Sequence, residues 1–451
     1  MDHKQQILLD ATRRLIRRGA FPNLAKLLVK SHPADIAHLF RYLELKEQRI
    51  LFNLIDDAEK GAYVLSELDH ATGARLLEQL DKETITEVLQ EMPSDDAADI
   101  IGNMPEELAL EILDIMHDED SEEIEQLLRY DEDSAGGIMS TEVFALRQNV
   151  TVREAIEAIQ QAGDVEMVFY LYVTNEHGQL VGVLSLRQLL TVPPDKRLRD
   201  IMITDVISVR TDVDQEEVAR VVEKYNVLAV PVVNDNNQLQ GIITVDDIID
   251  VLRHEATEDI YKMAGASEEE LLYGFNALKI ARLRLPWLIT NLFGGVITGY
   301  LMWLFKMTIS EVIALISFIP VITGMGGNVG GQSATIVVRG FATGRIDSST
   351  LRQVFFKELR VGILMGAVCG LVVGVVAFIW HGNAYLGLVV AVAMLAAMTV
   401  AACMGVIAPS TFKRFGIDPA IASSPFVQTA NDITGILIYF ATATLFIGFL
   451  R

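Results

Sequence analysis

The sequence predicts a multidomain, mainly helical membrane protein. An acidic soluble half, built from an all-α superhelical array and a repeated α/β module, is joined by a linking helix to a five-helix transmembrane domain. Three observations carry this. Of 60 Asp and Glu and 37 Lys and Arg, only five acids and nine bases lie beyond residue 285, so the net charge of −23 divides into −27 before that point and +4 after it. Apolar residues recur every 12 positions between Val64 and Leu128. Five apolar segments, 285–305, 312–338, 361–380, 385–407 and 421–450, can each cross a hydrocarbon core of about 30 Å at about 1.5 Å per residue.

Residues 1–130 are expected to form a cytosolic helical N-domain. The triplets Val64/Leu65/Leu68, Leu76/Leu77/Leu80, Val88/Leu89/Met92, Ile100/Ile101/Met104, Ile112/Leu113/Met116 and Ile124/Leu127/Leu128 each fall on one helical stripe, with Asp81, Pro93 and Pro105 as breaks. Helices of two turns are unstable alone in water and must stack around a shared core. A soluble half this negative repels nucleic acid and favours cations. Cys369 and Cys403 both lie in apolar stretches, so no disulfide framework is expected. The start MDHKQQILLD lacks a signal-peptide pattern, so the later apolar segments are expected to direct insertion.

Residues 131–256 run through one strand and helix pattern twice, over about 137–198 and 199–256. In the second copy 206–210, 228–233 and 239–244 predict strands, and 215–225 and 246–254 helices. In the first, 143–146, 169–173 and 180–184 take the strand places, and 152–161 and 185–190 the helical ones. The stretches IMITDVISV, YNVLAVPVVNDNNQLQGIITVDDII, GIMSTEVFAL and GQLVGVLSLRQLL resemble tandem cystathionine-beta-synthase (CBS) domains, a regulatory module. Residues 257–284 predict the linking helix, preceded by Glu255, carrying Glu258, Asp259 and 268–270, and turning basic at Lys279, Arg282 and Arg284.

Basic residues fall between the second and third apolar segments (Arg339, Arg345, Arg352, Lys357, Arg360) and between the fourth and fifth (Lys413, Arg414). By the positive-inside rule the soluble half and these loops are cytosolic, and the C-terminus faces out. Gly362, Gly366, Gly370 and Gly374 strip one helix face for close packing. The stretch FIPVITGMGGNVGGQSATIVVRG holds five glycines with Asn328 and Gln332 on one face, a pattern that suits either packing or a pore lining. Asp432 is the charged residue deepest in an apolar segment. Such a carboxylate costs about 2.5 to 3.5 kcal/mol, so it must face a cavity, a partner or an ion. Pro425, Gln428, Asp432, Gly435 and Tyr439 share its stripe, with Thr429 and Asn431 beside it. No basic residue lies inside a segment, which points to an external cation and to Asp432 lining a pore.

PVITGMGGNVGGQS at Pro320 to Ser333 and PFVQTANDITG at Pro425 to Gly435 resemble hallmark stretches of the MgtE family, and the domain order is similar along the whole chain. The resemblance implies a magnesium channel or transporter of a bacterial-type inner or plasma membrane, embedded in lipid as a homodimer with one pore. Asp432 of each subunit would hold hydrated magnesium, and Gln428, Asn328, Gln332 and Asn431 would line the path. Magnesium sheds water reluctantly, which suits a pair of carboxylates acting through its waters.

Acids of the soluble half form candidate facing sets: Glu91, Asp95, Asp96 and Asp99 on the array; Asp212, Asp214, Glu216 and Glu217 in the second CBS copy; Asp246, Asp247 and Asp250 on its last helix; Glu255, Glu258 and Asp259 on the link. Intracellular Mg2+ neutralising them is expected to draw the domains together and close the pore. The resemblance implies sensor ligands at Asp95 against Asp247, and at Asp259 with Asp418. Asn226 stands where some relatives carry an acid, which weakens an expected site near Asp214 and Asn226. ATP is implied as a regulator near Tyr170 and Arg187. Thr244 and Asp247 fit the ribose-binding spacing of such modules, whereas Ser185 is followed at that spacing by Gln188. Phosphate-loop, dinucleotide and HExxH motifs are absent, which argues against an enzyme. A proton- or sodium-coupled divalent-cation carrier and a nucleotide-sensing membrane scaffold are the alternatives.

Overall fold

Helices fill the first 127 residues of the computed structural model, which describes residues 3–161, 169–267, 270, 277–422 and 425–450. They are α1 (His3–Arg17), α2 (Phe21–Lys30), α3 (Pro33–Phe40), α4 (Leu45–Phe52), α5 (Ala58–Ser66), α6 (His70–Leu77), α7 (Lys82–Gln90), α8 (Ser94–Gly102), α9 (Glu106–Ile115) and α10 (Asp118–Leu127). Their starts sit where a side chain or a proline can close a helix. Asp69 accepts from Thr72 N at 2.9 Å before α6, Asp81 accepts from Thr84 N at 3.0 Å before α7, and Pro93 and Pro105 stand before α8 and α9. Helices pack on the next but one, α3 on α5, α6 on α8 and α8 on α10, and the 12-residue triplets supply the buried stripe. The last triplet is incomplete: Ile124 and Leu127 are buried, but Leu128 is 40% exposed.

Residues 1–252 form one compact unit. The α/β module within it holds two copies of one small fold. The first has β1 (Ala145–Arg147), α11 (Val152–Gln161), β2 (Tyr170–Thr174), β3 (Leu180–Ser185) and α12 (Leu186–Thr191). The second has β4 (Val209–Arg210), α13 (Gln215–Tyr225), β5 (Ala229–Val233), β6 (Leu239–Thr244) and α14 (Val245–Ala264). In each, the first strand pairs parallel and the third antiparallel to the middle one. The copies meet reciprocally through their hairpin turns. Gln179 Nε2 donates to Asn236 O at 2.8 Å, and Gln238 Nε2 donates to His177 O at 2.9 Å. Ala135, Met139, Val218 and Ile248 share one core with Ile100 and Ile112 of the helical array.

The single helix expected over 257–284 is not formed. α14 continues the module's last helix and stops at Gly265, whose φ of +70° glycine alone adopts without strain, with Ala266 N reaching back to Tyr261 O at 2.9 Å. Residues 277–284 open the first apolar helix, α15 (Ala277–Leu304), while Glu268 and Glu269 lie outside the described residues.

The second unit, residues 253–451, continues with α16 (Lys306–Glu311), a 3-10 segment (Ile313–Phe318), α17 (Ile319–Ala342), α18 (Leu351–His381), α19 (Ala384–Arg414), α20 (Pro425–Leu445) and α21 (Ile447–Leu450). Among the described residues four helices, Ala277–Leu304, Ile313–Ala342, Leu351–His381 and Ala384–Arg414, are long and apolar enough to cross a membrane, against five expected. The fifth expected segment does form a helix, α20, whose apolar character is diluted by Gln428, Thr429, Asn431, Asp432 and Thr434. Helices overrun the apolar segments because backbone hydrogen bonding continues past the hydrocarbon-like stretch; α18 starts at Leu351 and carries Arg352, Lys357 and Arg360. The α18 glycines pack as expected. A Cβ on Gly366 would lie 2.9 Å from Leu395 Cα, and one on Gly374 2.7 Å from Gly387 O.

Candidate functional site

In the second unit α20 packs against α15, α17 and α19, and the glycines of α17 make room for its polar side chains. A Cβ on Gly330 would collide with Asn431 Nδ2, and one on Gly327 would lie 3.2 Å from Gln428 Nε2. Asn431 Nδ2 donates to Gly326 O at 3.3 Å, while its Oδ1 is buried without a partner among the described residues. On the other flank Gly294 of α15 accommodates Thr429, whose Oγ1 donates to Asn291 Oδ1 at 3.2 Å. Tyr439 is buried and donates to Leu315 O at 2.9 Å.

These contacts correct the expected lining. Asn431 is only 1% exposed and acts as a wedge between helices, because its amide satisfies a carbonyl of the glycine-rich helix. Asn328, Gln332 and Gln428 are exposed on the unit's surface. Asp432 is half-buried and makes no hydrogen bond or ion pair among the described residues. Packing and exposure therefore divide the glycine-rich stretch between them: Gly327 and Gly330 meet α20 side chains, whereas Gly324 and Gly331 face open space.

A second carboxylate of this unit escaped the sequence reading. Glu358 is 3% exposed, accepts from Ser333 Oγ at 2.8 Å and pairs with Lys357 Nζ at 3.2 Å. Its signal was present, since Glu358 extends the four-residue spacing of the glycine stripe one turn toward the N-terminus.

In the first unit Ser94 fixes the start of α8 to the module. Its Oγ lies 2.9 Å from Thr141 Oγ1 and accepts from Thr141 N at 3.1 Å. The next residues form a carboxylate face with the first turn of α14. Asp95 is 8% exposed, with Oδ1 buried and without a partner among the described residues. Its carboxyl is held well above the usual range by burial and by Asp96 and Asp247. Asp99 is pushed up to about 8 by burial, then by Glu132, Asp96, Asp247 and Asp133. Asp247 is pushed up to about 6 by burial, against hydrogen bonds from Thr244, and Asp250 adds its charge against Asp96. His70 Nδ1 stands 3.4 Å from Asp99 Oδ2, and ligand atoms of His70, Asp99 and Glu132 lie within 4.8 Å of one another. Carboxylates this close and this desolvated favour a proton or a metal cation between them. His70 and Glu132 were missed because their nearness is tertiary.

Glu91 and Asp214 sit in local settings of their own. Glu91 is exposed and lines a pocket with Ala58, Glu87, Gln90, His117 and Asp120. Asp214 accepts from Glu216 N at 2.8 Å as the N-cap of α13, whereas Asn226 closes that helix at φ +52°. Eleven residues of helix separate them by roughly 17 Å along α13. Asn tolerates the left-handed conformation at 226 better than most residues.

On α14 Glu255 and Asp259 are half-buried, and Glu258 and Asp418 share a lysine. Lys262 Nζ is 2.7 Å from Glu258 Oε1 and 2.7 Å from Asp418 Oδ2. Asp418 was expected to work with Asp259; the observed junction is Lys262 with Glu258, one helical turn apart.

At the expected nucleotide position Tyr170 pairs in register with Ser185, and Arg187 follows on α12. Gln188 closes a capping box with Ser185, accepting from Ser185 N at 3.0 Å. In the second copy Asp247 plays that part, accepting from Thr244 Oγ1 at 2.5 Å.

The MgtE divalent cation transporter family matches residues 319–442, the MgtE intracellular N domain 31–133, and CBS domains 135–195 and 198–254. The chain is 43% identical over 328 residues to the magnesium transporters MgtE of Bacillus subtilis and Thermus thermophilus, spanning 72% of this chain and of each relative. Its soluble half is similar to the cytosolic domain of the Mg2+ channel MgtE solved in complex with ATP, at 36% identity and TM-score 0.51 over 54% of this chain and 99% of that one. It is likewise similar to the soluble part of a magnesium transporter, at 30% identity and TM-score 0.50 over 56% and 99%. Fold and site together define an integral membrane transporter with a helical N-domain and paired CBS domains. The chain belongs to the MgtE family of divalent cation transporters.

Proposed function

We propose that this chain is a magnesium channel that admits Mg2+ into the cytosol and is closed by intracellular Mg2+. The observation that carries conduction is Asp432, a carboxylate on α20 with no partner among the described residues, next to a glycine-rich helix. A half-buried acid of this kind is stabilised by a hydrated divalent ion that keeps most of its waters. Asn328, Gln332 and Gln428 add exposed amides to the route. In this proposal α20 is the fifth span, the C-terminus faces outward, and two copies form a homodimer in lipid with both Asp432 side chains at one pore.

Closure rests on the acids. Mg2+ at Asp95, Asp247 and Asp250, with Asp99 close by, relieves the repulsion of the first unit. Mg2+ at Glu255, Glu258, Asp259 and Asp418 ties α14 to the loop after α19, so that the chain following α14 plugs the cytosolic mouth. Glu91, four residues before Asp95, and Asp214, whose backbone bridges to Ser134 beside Glu132 and Asp133, add further sensor carboxylates to the first unit's group. ATP binding at Tyr170, Arg187 and Thr244 is the regulatory extension, supported by the ATP complex of a similar cytosolic domain. Gln188, in place of a ribose-binding carboxylate, weakens it.

The test is Mg2+ uptake by proteoliposomes, with internal Mg2+ varied and proton or sodium gradients imposed. Uptake that stops at millimolar internal Mg2+ and ignores both gradients supports a gated channel. Uptake driven by either gradient identifies a coupled carrier, and no uptake identifies a scaffold.

A further inference from the structure

Lys262 occupies the position where the second unit would hold a sensing ion. Its Nζ lies 2.7 Å from Glu258 Oε1 and 2.7 Å from Asp418 Oδ2. The two carboxylates reach it from different parts of the chain, Glu258 from one turn earlier on α14 and Asp418 from the loop after α19. Asp418 is already oriented, because its Oδ1 accepts from Ala420 N at 2.8 Å at the start of the 3-10 turn Pro419–Ala422, leaving Oδ2 for the ammonium. An amine within hydrogen-bond reach of two carboxylates is held as the ammonium.

An ammonium and a metal ion cannot use the same two oxygens at once. Lys262 places a single positive charge within hydrogen-bond reach of both carboxylates, and the flexible stem can withdraw it without breaking α14. Tethering gives that ammonium a standing advantage over free cations, which a divalent ion overcomes only through its second charge and its concentration. We propose that Lys262 is a built-in competitor for the cation site at Glu258 and Asp418. It bridges α14 and the Asp418 loop when divalent ion is scarce, and it must be displaced before the ion binds, which sets the threshold of sensing. This rests on Glu258 and Asp418 being sensor ligands.

The test is the internal Mg2+ concentration that half-inhibits uptake by proteoliposomes holding the full chain, for Lys262→Met, Lys262→Arg and, separately, Asp418→Asn. Each partly exposed ion pair contributes a factor of roughly 1.4 to 5, so removing both should lower the half-inhibiting concentration of Lys262→Met by roughly 2- to 30-fold. Lys262→Arg, which keeps the charge, should stay near the parent value. A purely structural lysine would raise that concentration, because losing it would loosen the site. An unchanged or raised value for Lys262→Met, together with a raised one for Asp418→Asn, overturns the competitor and leaves the sensor standing. If Asp418→Asn also changes nothing, the sensor assignment has failed. Should Lys262→Met not fold, the same leftward shift is required of Lys262→Gln, and its absence there is equally decisive.

Discussion

Two carboxylates in the apolar unit teach opposite lessons. Glu358 is sealed at 3% exposure, with Ser333 and Lys357 as partners, whereas Asp432 is half-buried with no partner among the described residues. A buried acid whose lone pairs are filled by the fold is structural; one that the fold leaves unfilled needs something from outside. The acid face of the first unit follows the Asp432 pattern in water, with Asp95, Asp99 and Asp247 crowded together and Asp95 Oδ1 without a partner among the described residues.

The widest separation of the two carboxylates should come from neutralising each. Asp432→Asn is expected to lower Mg2+ uptake about 100-fold, the equivalent of about 2.7 kcal/mol, while Glu358→Gln should keep uptake within about threefold and instead lower the thermal midpoint. Uptake and differential scanning fluorimetry on the same preparations check this.

A second break is steric. Gly330→Ala drives a methyl group into Asn431 and should cost about 1 to 3 kcal/mol of stability, and adding Asn431→Ala should recover most of it; detergent-stability curves of single and double variants measure the coupling.

The acid face can be sharpened by pH. In the folded chain Asp99 sits at about 8 and Asp247 at about 6, against about 4 when unfolded. The folded state thus holds more protons between those values, and its stability falls as pH rises from about 4 to about 8. Melting in chelator should show that decline, and millimolar Mg2+ should flatten it. The smallest effect belongs to Asn226→Ala, which should cost about 1 kcal/mol through its left-handed backbone and leave Mg2+ inhibition unchanged.

Sequence pattern carried the repeating elements well, because periodicity is local. The 12-residue triplets became the buried stripe, and the predicted 152–161, 215–225 and 239–244 elements form over those same residues. What it missed depends on contacts between distant segments. Nothing near Lys262 in sequence announces Asp418, 156 residues away, and nothing near Asn431 says that a glycine-rich helix will take its amide. The linking helix failed for a local reason that was visible, Gly265 in an otherwise helical run. Asp432 stands out in sequence because one charge in an apolar segment has few explanations. Glu358 carried only the four-residue spacing of the glycine stripe as a signal, among the charges just before its apolar segment.

Occupancy at Asp432 is the most direct test. With Mn2+ replacing Mg2+, anomalous diffraction from crystals of the full chain should place an ion about 4 to 5 Å from the Asp432 carboxylate, the separation of a contact through bound water, and Asp432→Asn should lose it. An ion that stays in the variant, or density that never comes near residue 432 while uptake persists, would contradict the account.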